Sequence, residues 1–314
     1  MDNDAGAESP RSEPIPRAIS NLGIPGEYQR TVANLLSTID GVFAPNDVEL
    51  GHRDDDPKPV EGTLGVAESP QQLPESVKDT LPRATRFGLQ AVARTMTASD
   101  RRAVLRDGVG ILAQQISDGD AAIDGYQPST YHHHRTAERV VAAVSLAFCV
   151  HDIPVLSREL AAVCMTANLG NGSDIDEIAI DRVQQSRREM RTTPRLFCAD
   201  QATRSWVLRG TIAMRLAAEN GFIEPCRCEA VVDEAVERID WLRDSYSDRV
   251  GSLANQSVAC AAMEAVRRET ELLGMSAKIL GNMIGVSGVT IGERYSEFFD
   301  VESPDETEEQ NVHS

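Results

Sequence analysis

Three consecutive histidines, His132, His133 and His134, with His151 further on, are the first residues in this 314-residue sequence to suggest a metal site. Three neighbouring side chains cannot all face one ion from a regular helix or strand. No nearby cysteine and no Glu-x-x-His spacing completes a ligand set. Cys226-x-Cys228 is a second candidate, a thiol pair that could hold a metal or oxidise. With no second pair beside it, thiols buried or idle in a core are the plainer reading. The sequence contains no G-x-x-x-x-G-K-[ST], no G-x-S-x-G and no usable G-x-G-x-x-G. Paired carboxylates occur mainly in acid-rich flanks, where solvation is their ordinary purpose. These patterns point away from an enzyme, and neither a cofactor nor a metal is expected.

A different chemistry is offered near the other end of the chain. Ser287, Gly288, Thr290 and Arg294 would be presented to a DNA major groove if they lay on the first two turns of a recognition helix. Lys278 would lie on the preceding helix, with Arg267 and Arg268 earlier still. Arg294 is the one basic residue on the second helix. Glu293 and Glu297 oppose phosphate approach, and either could instead pair with Arg294.

The stretch that must position these residues is Ser276 to Phe299. Ile279, Leu280, Met283 and Ile284 recur at helical spacing behind Ser276, which is placed to cap the start. Gly281 falls where two crossing helices leave no room for a side chain. Gly285 supplies the left-handed backbone needed to leave the first helix. Val286 plugs the corner and Ser287 caps the second helix, whose buried stripe is Ile291, Tyr295 and Phe298. This is the grammar of a helix-turn-helix. An ordinary helical hairpin in an all-α core satisfies the same pattern.

The run GVSGVTIGERYSEF also resembles the end of the second cyclin-like repeat of the transcription factor IIB family, in its archaeal form transcription factor B. Those repeats commonly close on GV-x-x-VTI-x-x-RY-x-E. Gly285, Val286, Val289, Thr290, Ile291, Arg294, Tyr295 and Glu297 stand at its fixed positions. The resemblance implies an all-α fold of two cyclin-like five-helix repeats. It also implies a DNA-binding transcription-initiation factor that docks on promoter DNA together with TATA-binding protein. Two departures stand out. Gly292 occupies a place where family members often carry a basic residue. The family usually opens with a four-cysteine zinc ribbon that engages RNA polymerase, and no C-x-x-C pair occurs here. Polymerase as a partner is therefore in doubt, and a divergent regulator of initiation is one form the function could take.

If the resemblance holds, an earlier copy of the unit must exist. Placing Ala142-Ala143 on Ala261-Ala262 gives an offset of 119, and Leu160 on Leu280 gives 120. Near-constant separation of two helical units argues for duplication. The first repeat is expected over 81–200 and the second over 201–300, followed by an acidic tail at 301–314. TIAMRLAAENGF resembles the segment that opens a family repeat.

Residues 1–80 have a different texture, with ten of the 15 prolines in the first 82 residues and a net charge of −9 from 15 acidic and 6 basic residues. They read as a largely disordered acidic arm, and the body from Leu81 is expected to fold without it. One piece resists: Tyr28, Val32, Leu35, Leu36 and Ile39 share a helical stripe that would dock on the body or on a partner. Residues 297–314 hold 7 acids and no base, which leaves the middle at −2 of the overall −18. Only Lys58, Lys78 and Lys278 are lysines among 31 basic residues. Acidity with arginine in place of lysine leans towards a salt-loving source, although a GC-rich genome would give the same bias.

The six cysteines are scattered and read as small hydrophobes in a reducing compartment. No apolar run reaches membrane-span length and the acidic start is unlike a signal peptide, so a cytoplasmic monomer is expected. A function of another class stays open. A cyclin-fold protein-interaction module would hold a partner in its grooves and touch no DNA.

Overall fold

In the computed structural model the described residues are 26–43, 81–120, 130–169, 177–190 and 202–300, except 252, 272 and 273. Among them every regular element is helical. The helices are α1 (Gly26–Phe43), α2 (Arg83–Thr95), α3 (Ala98–Asp120), α4 (Thr130–Val150), α5 (Ser157–Leu169) and α6 (Glu177–Met190). They continue with α7 (Ala202–Glu219), α8 (Cys228–Ser245), the single turn α9 (Ser247–Val250), α10 (Asn255–Thr270), α11 (Ala277–Ile284) and α12 (Gly288–Phe299).

Two helices are apolar nearly all round and become the centres of two groups. In α4 every residue from Val140 to Phe148 is buried, and in α10 every residue from Val258 to Val266 is buried. Helices of that composition must be covered on most sides. The coverings match. In the first group α1, α3, α5 and α6 pack on α4; in the second, α7, α8, α11 and α12 pack on α10. Further pairings recur in the same order, α1 on α5 as α7 on α11, and α5 on α6 as α11 on α12. The spacing of 119 to 120 residues between the central helices and the helices that follow therefore corresponds to two similarly packed five-helix groups.

The opening helix of the first group is not the one that begins near Leu81. It is α1, whose Val32, Leu35, Leu36, Ile39 and Phe43 are fully or almost fully buried in the first core. Phe43 meets Phe148 of α4 with ring centroids 5.2 Å apart. Arg101 of α3 closes the contact by donating to Asp40 Oδ1 at 2.7 Å and to the Phe43 carbonyl at 3.0 Å. Of the two places the stripe could dock, the body or a partner, α1 thus takes the body. Proline and acid load describe the surrounding sequence, while the apolar stripe decides where this helix goes.

Helix α2 belongs to both groups. Leu89, Val92 and Ala93 enter the first core, and Ala84, Phe87 and Ala91 enter the second. Next to it lies the polar centre of the contact. Arg209 of α7 and Glu159 of α5 are fully buried. The guanidinium grips the carboxylate with two nitrogens, Nη1 reaching Oε2 at 2.8 Å and Nη2 reaching Oε1. Arg209 also donates to the carbonyls of Met283 at 2.9 Å and Pro154 at 2.7 Å. Gly88 of α2 makes the space, since a Cβ there would stand 2.5 Å from both Arg209 Nη2 and the Met283 carbonyl.

Local signals place the helix starts. Thr97 and Asp100 form a reciprocal cap at α3: Thr97 Oγ1 accepts from the Asp100 amide at 3.1 Å, and Asp100 Oδ2 accepts from the Thr97 amide at 3.1 Å. Residues 1–25, 44–80 and 301–314 lie outside the described residues.

Candidate nucleic-acid interface

Helices α11 and α12 meet at a corner built from glycines and caps. Ser276 Oγ accepts from the Ile279 amide, and Ser287 Oγ accepts from the Thr290 amide at 3.0 Å, satisfying donors at each helix start. Gly285 has φ +81° and its N–H returns to the Gly281 carbonyl, as does that of Val286 at 2.9 Å. Gly281 is the point of closest approach, because a Cβ there would stand 2.1 Å from the Val286 carbonyl oxygen. Val286 is half-buried against the second core, filling the corner.

The corner is fixed from two sides. At Gly285 a Cβ would come within 2.5 Å of Leu156, so the turn is seated on the first group. At its far end α12 is held by a ladder of rings. Tyr295 stacks on Phe299 at 5.7 Å, Phe299 on Trp241 of α8 at 5.5 Å, and Phe298 meets Tyr246 at 5.4 Å. Ile291 and Phe298 are buried as expected, but Tyr295 is only half-buried. Its outer face is covered by the Arg268 guanidinium, 3.8 Å from the ring centroid.

The residues expected to face DNA separate into two sets. Ser287 is exposed at the cap of α12 and Lys278 is exposed on α11, and Gly288 packs against the Lys278 backbone, its Cβ position 3.4 Å from Lys278 Cα. Thr290 is half-buried, with its hydroxyl 2.8 Å from Ser287 Oγ. The three arginines are engaged within the protein. Arg267 grips the buried Glu264 carboxylate through Nε and Nη2, both at 2.7 Å, and Arg268 Nε joins it at 2.8 Å. Arg294 pairs with Glu297 one turn along its own helix. Burial pushes the Glu264 carboxyl up, but the hydrogen bonds from Arg267 and Arg268 outweigh it and hold the group below its usual range.

The exposed face of α12 runs instead through Val289, 71% exposed, then Glu293 and Ser296. Helical periodicity alone would have found Val289, since it is four residues before Glu293 and off the Ile291–Phe298 stripe. Gly292 adjoins that face with no atom within 4 Å of a Cβ built on it.

A cleft of about 580 Å³ opens beside the corner. Its walls include Arg158 of α5, Arg187 and Arg188 of α6, Gln256 of α10, and Asn282 and Ser287 of the corner. Three arginines from the first group thus line a space shared with the cap of α12. Arg187 Nη2 lies 2.8 Å from Cys149 Sγ, while its Nε is buried without a partner. Sequence spacing could not reveal this arrangement, because its parts lie in different five-helix groups.

Among the described residues no three His, Cys, Asp or Glu side chains are placed to hold one ion. His132, His133 and His134 fall in the first turn of α4, and their side chains lie outside the described residues. His151 Nε2 is 2.8 Å from Asp107 Oδ2. Among the described residues no helix is long and apolar enough to cross a membrane. No protein-family model matches the chain, and neither a curated protein nor a solved structure matches it.

Proposed function

We propose that this chain is a DNA-binding transcription-initiation factor resembling archaeal transcription factor B. Its two five-helix groups would be cyclin-like repeats, and α11–α12 a helix-turn-helix. It would dock on promoter DNA together with TATA-binding protein. The observation that carries this is the joint cleft, where Arg158, Arg187 and Arg188 of one group border the capped start of α12 in the other. Duplex DNA lying against α12 would present phosphates to such a cleft, and α12 would offer Ser287 and Thr290 as hydrogen-bonding groups. Because Arg267, Arg268 and Arg294 are engaged with carboxylates, binding by the isolated protein is weak. A partner that bends DNA and adds a protein contact supplies the remainder.

The test is a gel shift on native promoter fragments at high salt, with and without TATA-binding protein, comparing the unmodified protein with Arg188→Glu and Arg294→Ala. A ternary complex weakened by Arg188→Glu supports the proposal. If the protein fails to join TATA-binding protein on DNA, the initiation-factor function is excluded.

A second reading has its own observation. Val289, Trp241 and Leu208 are exposed apolar side chains, and Arg294, the one arginine of α12, is internally paired. This suits a protein-interaction module that touches no DNA. Capture of a protein partner lost on Val289→Glu, with no gel shift under any condition, distinguishes it.

A further inference from the structure

The link between α7 and α8 carries a pair of thiols that DNA docking does not use. Cys226 and Cys228 flank Arg227, and their sulfurs are 2.9 Å apart. The backbone holds them together: the Cys228 amide donates to the Cys226 carbonyl at 3.0 Å, and Cys228 Sγ lies 3.6 Å from the same oxygen. The two sulfurs differ in access. Cys228 opens α8 and is buried in the second core, while Cys226 is half-buried against that core. Arg215 of α7, paired with Glu229 at 3.1 Å, adds positive charge nearby. The start of the 18-residue helix α8 adds more. The hydrogen bond with Cys228 brings the Cys226 thiol down to about 7 against the opposing effect of burial, and the same contact pushes Cys228 up. Cys164 and Cys260 are fully buried, and burial pushes both thiols up.

We propose that Cys226 and Cys228 are a redox-modified dithiol whose oxidant is a small-molecule disulfide of the glutathione type. The Cys226 thiolate attacks one sulfur of the oxidant, forming a mixed disulfide and expelling one thiolate. Cys228 gives its proton to that thiolate and attacks the Cys226 sulfur from 2.9 Å, expelling the second thiolate, which takes up the proton first lost by Cys226. The protein loses two electrons as one intramolecular disulfide forms, and the oxidant is reduced to two thiols. The half-buried sulfur of Cys226 is the attacking group and the buried one resolves. This proposal is independent of the DNA reading.

Arg227 supplies a direct measurement. Trypsin cuts after it, so the reduced protein yields residues 216–227 and 228–238 as separate peptides. A disulfide keeps them joined at two mass units below their sum. The folded full chain is treated with oxidised glutathione and quenched with an alkylating agent, then digested and mapped by mass spectrometry. The joined pair is expected, with Cys226 reacting roughly fivefold or more faster in the folded protein than in denaturant. Cys228→Ser, checked for unchanged circular dichroism, retains a glutathionyl adduct on Cys226 because nothing resolves it. Two unlinked peptides from the wild type, or a Cys226 no faster folded than unfolded, overturns the proposal. The wild-type result decides even if the variant does not fold.

Discussion

Arg209 and Glu159 come from different five-helix groups, yet each has its whole side chain out of water and the other as its charged partner. Desolvation pushes the Glu159 carboxyl up, and the charge and hydrogen bonds of Arg209 work against that rise. Arg209 also satisfies the Met283 carbonyl at the end of α11, so one side chain ties both groups to the corner. Removing either partner leaves a buried charge without compensation, at a cost of about 3–5 kcal/mol. Arg209→Ala and Glu159→Ala are each expected to lose that much in denaturant unfolding. Arg209→Met combined with Glu159→Leu should lose clearly less than the two singles together, since no lone charge remains. Additive losses would show that the pair is not coupled.

Helix α1 supplies the second prediction. Its five deeply buried apolar side chains contribute on the order of 1.5–3 kcal/mol each when removed from water, as an upper estimate. A chain beginning at residue 81 should therefore expose α4 and α5 and lose the cooperative melt of the first group. A chain beginning at residue 24 should keep it. Equal melting of both truncations would show that α1 adds nothing to the core.

What the sequence made legible was local. Two serine caps, the left-handed Gly285 and the close approach at Gly281 are all decided within about ten residues, and each is found where the pattern put it. The two central helices were legible because a helix buried on most sides must be apolar on most sides, as Val140–Phe148 and Val258–Val266 are apart from Ser145 and Glu264. The role of α2 was not, since a helix with two buried faces looks like any short apolar helix until both neighbours are known. The arginines at 158, 187 and 188 were invisible as a group because tertiary packing alone brings them beside Ser287. Glu264 left a readable sign: an acid within an apolar run, followed at three and four residues by arginines, is positioned to be buried and paired.

That acid gives a pH prediction. Glu264 is held below the usual carboxylate range in the folded protein, so its stabilising contribution is complete above the unfolded value near 4.5. It is lost as pH falls through the lower, folded value. Glu264→Gln should therefore cost about 1–3 kcal/mol at neutral pH. The difference from wild type should shrink as unfolding is measured towards pH 3. A constant difference between pH 7 and 3 would show that the charge of Glu264 is not what stabilises this site.

Gly292 allows the DNA proposal to be tested by gain rather than loss. A Cβ there meets nothing within 4 Å, and the position lies beside the exposed Val289–Glu293 face. Gly292→Arg should fold normally and stabilise α12 by about 0.5–1 kcal/mol, since glycine is a poor interior helix residue. If α12 lies against a duplex, the added guanidinium gains a phosphate contact. Tighter binding of the ternary complex is then expected, with a dependence of log affinity on log salt steeper by about one unit. Gly292→Ala serves as the control, matching the gain in helix stability without the charge. Val289→Glu, which adds an acid to the same face, should weaken the complex while leaving the melt unchanged, because a side chain 71% exposed contributes little to the core. If Gly292→Arg and Gly292→Ala bind promoter DNA alike, with the same salt slope, α12 does not face phosphate. Loss of a protein partner on Val289→Glu would then assign the exposed face to protein interaction.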